Sequence, residues 1–292
     1  MFKVGDIFKD RYQILELLGS GATSKVFKVT DLESSKFFAL KVLNKSLIDC
    51  LSVRRQFKNE LIASYKVNHP NLLKSYSYFE DEKSQVHLME YIFAKTLRDL
   101  LLIKSLNLKN KFEILIQITQ GVLALHKQDI IHTDLKPENI MINHEADVKI
   151  IDFSINSNVK LFATPTYLSP ETLLNNKITK FSDQFVLGLI AFELITGKAL
   201  VSEENLGVLT VNYLKNQALD ISLLDAYLTR GQKKIFSKML SVREEDRYQN
   251  LYHLIIDLNS VSTQQVVKIY TSDEFKDRHK VGIDILKKLL PF

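Results

Sequence analysis

Near residue 95 the chain changes its apolar period, and that change limits the folds open to it. Before it, short runs rich in β-branched and aromatic residues fall near 11–18, 25–31 and 36–43, punctuated by GSGA and DLESSK. They read as an antiparallel meander. An amphipathic helix is expected over 53–67, stopped at Pro70. Two further strand-like runs, LLKSYSYF at 72–79 and QVHLMEYI at 85–92, flank the charged turn EDEK and complete a five-stranded sheet with one helix. After Lys95 the period becomes helical, in LKNKFEILIQITQGVLALHKQ at 108–128, SDQFVLGLIAFELITG at 182–197, QKKIFSKML at 232–240 and YQNLYHLIIDL at 248–258. The pattern implies an α+β protein of two lobes: a small strand lobe over 12–89, a hinge at 90–95 and a larger helical lobe over 96–258. A chain of 292 residues, 46% of them hydrophobic, has the material for such cores. Residues 260–292 are charged and weakly periodic, and read as a C-terminal extension.

Charge and composition exclude several function classes. The net charge of +5 is spread along the chain, and VRRQFK at 53–58 reads as the solvated side of a helix whose other side carries Phe57, Leu61, Ile62 and Tyr65. No nucleic-acid partner is expected. The most apolar stretch, FVLGLIAFELITG at 185–197, is short and contains Glu193, so a buried helix is expected rather than a membrane span. The opening MFKVGDIFKD shows no secretory leader, and a single cysteine, Cys50, fits a reducing, cytoplasmic interior. A protein delivered into another cell's cytosol without a cleavable leader would read the same way.

Chemistry concentrates in four places. In LGSGATSKV at 18–26 the glycines lie between two strands, whereas a dinucleotide fingerprint or a P-loop would open a helix. Glycines in such a turn let backbone N–H groups approach phosphate oxygens. Lys41 ends the apolar run FALK, and a desolvated ammonium needs a partner; Glu60 on the following helix is the best candidate. In HTDLKPENIMI, Asp134 is placed to accept a proton from an attacking hydroxyl, Lys136 to neutralise charge on a transferred group, and Asn139 to offer a neutral oxygen to a metal. Asp152, in VKIIDF, adds a carboxylate at the end of a strand.

These motifs, in this order, resemble the eukaryotic-type Ser/Thr protein kinases, and the opening GDIFKDRYQILELLG is most similar to the bacterial members. The resemblance runs from about Tyr12 to about Leu258 and includes HPN at 69–71, ATPTYLSPE at 163–171, DQFVLG at 183–188 and EDRY at 245–248. It implies the protein kinase fold and Mg²⁺-dependent transfer of the γ-phosphate of ATP to Ser/Thr hydroxyls of protein substrates. It also implies residue roles. Lys41 would contact the α- and β-phosphates and pair with Glu60; Asp134 would be the base, Lys136 the γ-phosphate contact, and Asn139 and Asp152 the metal ligands. Leu18, Gly19, Gly21, Val26, Ala39 and Met141 would surround ATP, with Met89 as gatekeeper and the backbone of Glu90 and Ile92 as hinge partners. Glu171 and Arg247 would form a buried pair, Asp183 would support the catalytic loop, and Thr164 would bond Asp134 and Lys136. Apart from the resemblance, which often attaches no preference to this glutamate, the place of Glu138 beside the loop leads us to expect a basic residue near the acceptor.

Two letters depart from the family pattern: Thr133 where an arginine is common, and Ser154 where a glycine is common. Without that arginine no cation next to the base gathers a phosphate, so activation-segment phosphorylation is expected to be dispensable. Two other readings stay open on sequence: a nucleotide-binding pseudokinase scaffold, separated by an assay of phosphate transfer, and a small-molecule kinase of related fold, disfavoured by Lys136 and the SPE segment. Oligomeric state is not legible.

Overall fold

A computed structural model describes residues 2–81, 84–103, 106–153, 165–202 and 204–269. Its contacts divide the chain between Phe93 and Ala94 into two lobes, with His69–Asn71 grouped with the second. The first lobe is an antiparallel sheet of order β1-β2-β3-β4-β6-β5 plus one α-helix. Its strands are β1 (Ile7–Phe8), β2 (Tyr12–Ser20), β3 (Ser24–Asp31), β4 (Phe37–Leu43), β5 (Ser75–Glu80) and β6 (Gln85–Glu90); α1 spans Leu51–Lys66. The sheet therefore has six strands, not the expected five. The extra strand is two residues long, too short to show a period, and it turns into β2 through Lys9 and Asp10, both at positive φ.

Alternation decides what each face of this sheet does. Phe27, Val29, Leu40, Val86 and Leu88 point to one side, where they pack with Phe8, Tyr12 and Ile14. The residues between them point the other way. Register pairs Val26 with Lys41, Lys41 with His87 and Ala39 with Met89, so these side chains share the opposite face.

The second lobe is mostly helical, and its small sheet of order β7-β8-β9 is formed by Ala94–Thr96, Ile140–Asn143 and Val148–Ile150. Its helices are α2 (Leu97–Ile103), α3 (Leu108–His126), α4 (Pro170–Asn175), α5 (Lys180–Thr196), α6 (Leu206–Leu214), α7 (Arg230–Met239) and α8 (Leu251–Ile269). Sequence periodicity found α3, α5, α7 and α8; α2, α4 and α6 are six to nine residues long and show too few turns to register a period. α3 packs against α8, α5 and β9. Its approach to β9 requires Gly121, where an added Cβ would come within 2.7 Å of Ile150 Cδ1 and 3.1 Å of the Asn71 carbonyl.

α5 is buried at every position from Ser182 to Ile195, as expected for a core helix. A Thr179 capping box starts it and Gly197, at φ 71, ends it. Among the described residues no helix is long and apolar enough to cross a membrane.

Beside α5, Arg247 is 1% exposed and makes a bidentate pair with Glu171 at 2.9 and 3.0 Å. It also donates to the carbonyls of Phe181, Ser241 and Val242, and Ser182 donates to Glu171. Burial pushes the Glu171 carboxyl up, but the bonds and charge of Arg247 outweigh it and hold the group below the usual carboxylate range. Glu171→Gln would strand a buried guanidinium, with an expected loss of about 3–5 kcal/mol at neutral pH by urea unfolding. Because the folded value lies below the unfolded one, the carboxylate stabilises above the unfolded value and its contribution disappears as pH falls through the folded value. The gap between wild type and Glu171→Gln should therefore narrow in acid.

Candidate active site

In the first lobe, β2 and β3 meet in a turn closed by a Gly21 N–H bond to the Ser24 carbonyl at 2.8 Å. Neither Gly19 nor Gly21 is in the left-handed region, and a Cβ on Gly19 would meet no heavy atom within 4 Å, while one on Gly21 would meet only the Ser24 carbonyl at 3.7 Å. The fold itself does not demand glycine at either place, which fits a loop kept bare for a ligand to approach its backbone. Asn44, just past β4, donates its amide to the carbonyls of Gly21 and Ala22 at 3.2 and 2.9 Å. Those carbonyls are thereby tied down. Sequence reading missed Asn44, whose partners lie more than twenty residues away.

Lys41 is 6% exposed, on the sheet face shared with Val26, Ala39 and Met89. Its ammonium meets Glu60 of α1 at 2.5 Å and lies 5.8 Å above the Phe57 ring. The expected pair is formed. Leu18 is exposed near the end of β2, and Glu90 and Ile92 are half-buried where the lobe ends; the Glu90 N–H bonds the Lys74 carbonyl at 2.9 Å.

In the second lobe, the loop between α3 and β8 carries Asp134, Lys136 and Asn139. Lys136 Nζ is 2.8 Å from Asp134 Oδ2, and Asn139 Nδ2 donates to the Asp134 carbonyl at 2.8 Å and to Oδ2 at 3.2 Å. With its NH₂ group facing Asp134, Asn139 presents its amide oxygen to any cation. The Ile151 N–H bonds the Asn139 carbonyl at 3.0 Å, which sets Asp152 beside this group. Asp152 is exposed, at φ 59, a left-handed conformation that aspartate tolerates better than most residues. One carboxylate and one amide oxygen are hard donors of the kind Mg²⁺ accepts when substrate phosphates complete its shell. Among the described residues there is no cluster of three or more His, Cys, Asp or Glu that would form a protein-only metal cage. Met141 lies on β8, between Thr96 and Lys149.

The loop is held from below by Asp183, 2% exposed in the first turn of α5. Its carboxylate accepts from the N–H groups of His132 and Thr133 at 2.9 and 3.3 Å and pairs with His126 Nε2 at 2.8 Å. His132 is buried, and burial lowers its pKa, so a neutral ring donates from Nε2 to the Ile151 carbonyl at 3.1 Å. Asn71, of the HPN stretch, donates to the Val148 carbonyl and accepts from the Ile150 N–H, fastening the strand that leads to Asp152.

The profile described as protein kinase domain matches residues 12–270. The chain belongs to the protein kinase domain family. It is similar to the Aurora kinase of Saccharomyces cerevisiae, 33% identical over 246 residues that cover 82% of this chain and 66% of that one. The serine/threonine-protein kinase PrkC of Bacillus subtilis is 26% identical over 267 residues, 88% of this chain and 41% of PrkC. For PknB of Mycobacterium tuberculosis the figures are 28% over 265 residues, 85% and 42%. The chain thus spans about two thirds of the yeast relative and two fifths of the bacterial ones. The PknI kinase domain of M. tuberculosis superimposes with a TM-score of 0.69 at 20% identity, covering 89% of this chain and all but 1% of that one, which establishes the protein kinase fold.

Of the two unusual letters, Ser154 lies outside the described residues, as does Thr164. Thr133 is described, and its φ of 70 places a β-branched residue in the left-handed region, at a cost of about 1–2 kcal/mol. Asparagine adopts this conformation more readily. Thr133→Asn should raise the urea midpoint by the equivalent of about 1 kcal/mol with an unchanged slope. A lower midpoint would show that contacts of the threonine side chain outweigh the strain.

Proposed function

We propose that this kinase transfers the γ-phosphoryl group of ATP to Ser or Thr hydroxyls of protein substrates, with Mg²⁺ as cofactor. The observation that carries the reading is the grouping of Asp134, Lys136 and Asn139 in one loop, with Lys136 and Asn139 each within hydrogen-bond distance of Asp134. Asp134 accepts the proton of the attacking hydroxyl; its carboxylate is about one third exposed, open enough to meet a substrate. Lys136, 2.8 Å from that carboxylate, offers positive charge to the transferred group. Asn139 and Asp152 would hold Mg²⁺, which supplies charge neutralisation at the phosphates. Lys41, oriented by Glu60, would bind the α- and β-phosphates, and Leu18, Gly19, Gly21, Val26, Ala39, Met89, Glu90, Ile92 and Met141 would form the nucleotide site. The names of PrkC and PknB, and the lysine at 136, support Ser and Thr as acceptors.

The test is incubation of pure protein with labelled ATP, Mg²⁺ and a generic protein substrate, followed by phosphoamino-acid analysis. Asp134→Asn should keep nucleotide affinity and lose at least a hundredfold in turnover; Asp152→Asn should also lose the Mg²⁺ dependence of nucleotide binding. Equal turnover of wild type and Asp134→Asn would remove Asp134 from the role of base. Retained nucleotide binding without transfer by the wild type would make the chain a nucleotide-binding scaffold.

We further propose that activity does not require a phosphorylated activation segment. Thr133 carries no charge with which to receive a phosphate beside the base. Phosphatase-treated protein and a Ser157→Ala/Thr166→Ala variant should each retain most of the initial rate. A large loss in both, reversed by rephosphorylation, would show that another cation serves the segment.

A further inference from the structure

Glu138 sits four residues beyond Asp134, and four residues of chain span at most about 14 Å. An extended peptide whose hydroxyl meets Asp134 therefore brings residues up to about four positions away within reach of Glu138. A carboxylate so placed would select arginine or lysine in the substrate. It is already engaged. Arg98 of α2 donates from Nε to Glu138 at 2.7 Å, from a second nitrogen to Glu193 of α5, and from the third to the Tyr167 hydroxyl at 2.6 Å; Tyr167 in turn donates to Glu193.

Displacement of this arginine by a substrate would be expensive. Glu193 is only 5% exposed, and losing its cation would strand a buried carboxylate. Burial works against the charge on Arg98, but the bonds to Glu138 and Glu193 more than offset it and hold the guanidinium firmly protonated. All five of its N–H donors lie in one rigid fork, and three of its nitrogens have partners here. A substrate arginine arriving at Glu138 would meet a like charge on the same carboxylate.

We propose that Arg98 is a specificity-determining residue: its guanidinium occupies the carboxylates of Glu138 and Glu193 and cancels the preference for basic substrates that they would otherwise impose. This rests on the assignment of Asp134 as the base that meets the acceptor. The enzyme selects through an internal occupant of the acidic site.

The test uses a Ser/Thr peptide set in which a single arginine replaces alanine at each position from −4 to +4 around the acceptor, read as the Arg/Ala ratio of kcat/KM. Wild type should stay below about threefold at every position. Arg98→Met, which keeps the apolar stem, should raise the ratio at one or more positions by at least about tenfold, the equivalent of about 1.4 kcal/mol. Arg98→Met/Glu138→Gln should return it to below about threefold. Wild type that already favours arginine tenfold would overturn the proposal, as would a folded Arg98→Met with an unchanged ratio. Should Arg98→Met not fold, Arg98→Lys, which serves one carboxylate at a time, should give an intermediate ratio, and an unchanged one would overturn the proposal. Glu138→Gln alone should move the ratio less than twofold, since that carboxylate is already covered, and a larger shift would overturn it. Failure of wild type to phosphorylate any peptide or protein would sink the kinase reading instead. The same Arg/Ala comparison made by equilibrium peptide binding then still decides the role of Arg98.

Discussion

A single buried carboxylate, Asp183, fixes the loop that carries Asp134, Lys136 and Asn139. Outside one 3-10 turn at Pro137–Asn139 the backbone of that loop lies in neither a helix nor a ladder, so its buried N–H groups need other partners. Two successive donors, from His132 and Thr133, go to Asp183 instead. The carboxylate tolerates burial because it takes these two bonds, meets the His126 ring at the last residue of α3, and sits in the first turn of α5, where the helix dipole favours negative charge. The loop is thereby pinned between the end of one core helix and the start of another.

The same helix carries a second buried acid. Glu193 follows Asp183 by ten residues, about 15 Å along the axis, in a segment where every residue is buried. An apolar helix with two acids inside it is a poor packing element on energy alone, so each acid must be matched by donors. Asp183 is matched by the backbone N–H groups of His132 and Thr133, and Glu193 by Arg98 and Tyr167. Through those partners α5 sets both the position of the loop that carries Asp134 and the pairing of Glu138 through Arg98. Tyr167 shows the strength of the second cluster: burial first, then the charge and bond of Glu193, push its hydroxyl well above the ordinary tyrosine range, so it remains a donor.

How much of this was legible in the sequence depended on how local each interaction is. The long helices and main strands announced themselves by period, whereas β1, β7 and the short helices did not, because two to nine residues hold too little pattern. The Lys41–Glu60 and Glu171–Arg247 pairs were expected from motif spelling, and the geometry forms both. Asn44 and Arg98 carried no such signal. Each is an ordinary surface-type letter whose meaning comes from partners 22 to 95 residues away, brought near by tertiary folding. Backbone strain was not legible either: the left-handed conformations of Thr133 and Asp152 leave no mark in the sequence.

Thr133 shows why an unusual letter can sit inside this loop without dismantling it. What Asp183 reads at position 133 is the N–H group, which every residue except proline supplies. The side chain is not part of that contact, so threonine in place of arginine removes a charge that could gather a phosphate and puts a β-branched residue at a left-handed position, while the support of the loop persists. Positions 134, 136 and 139 allow no such freedom, since there the side-chain atoms themselves make the bonds. An anomaly at 133 therefore leaves the loop's support in place, whereas a change at 134 would remove bonds on which the loop's side chains depend.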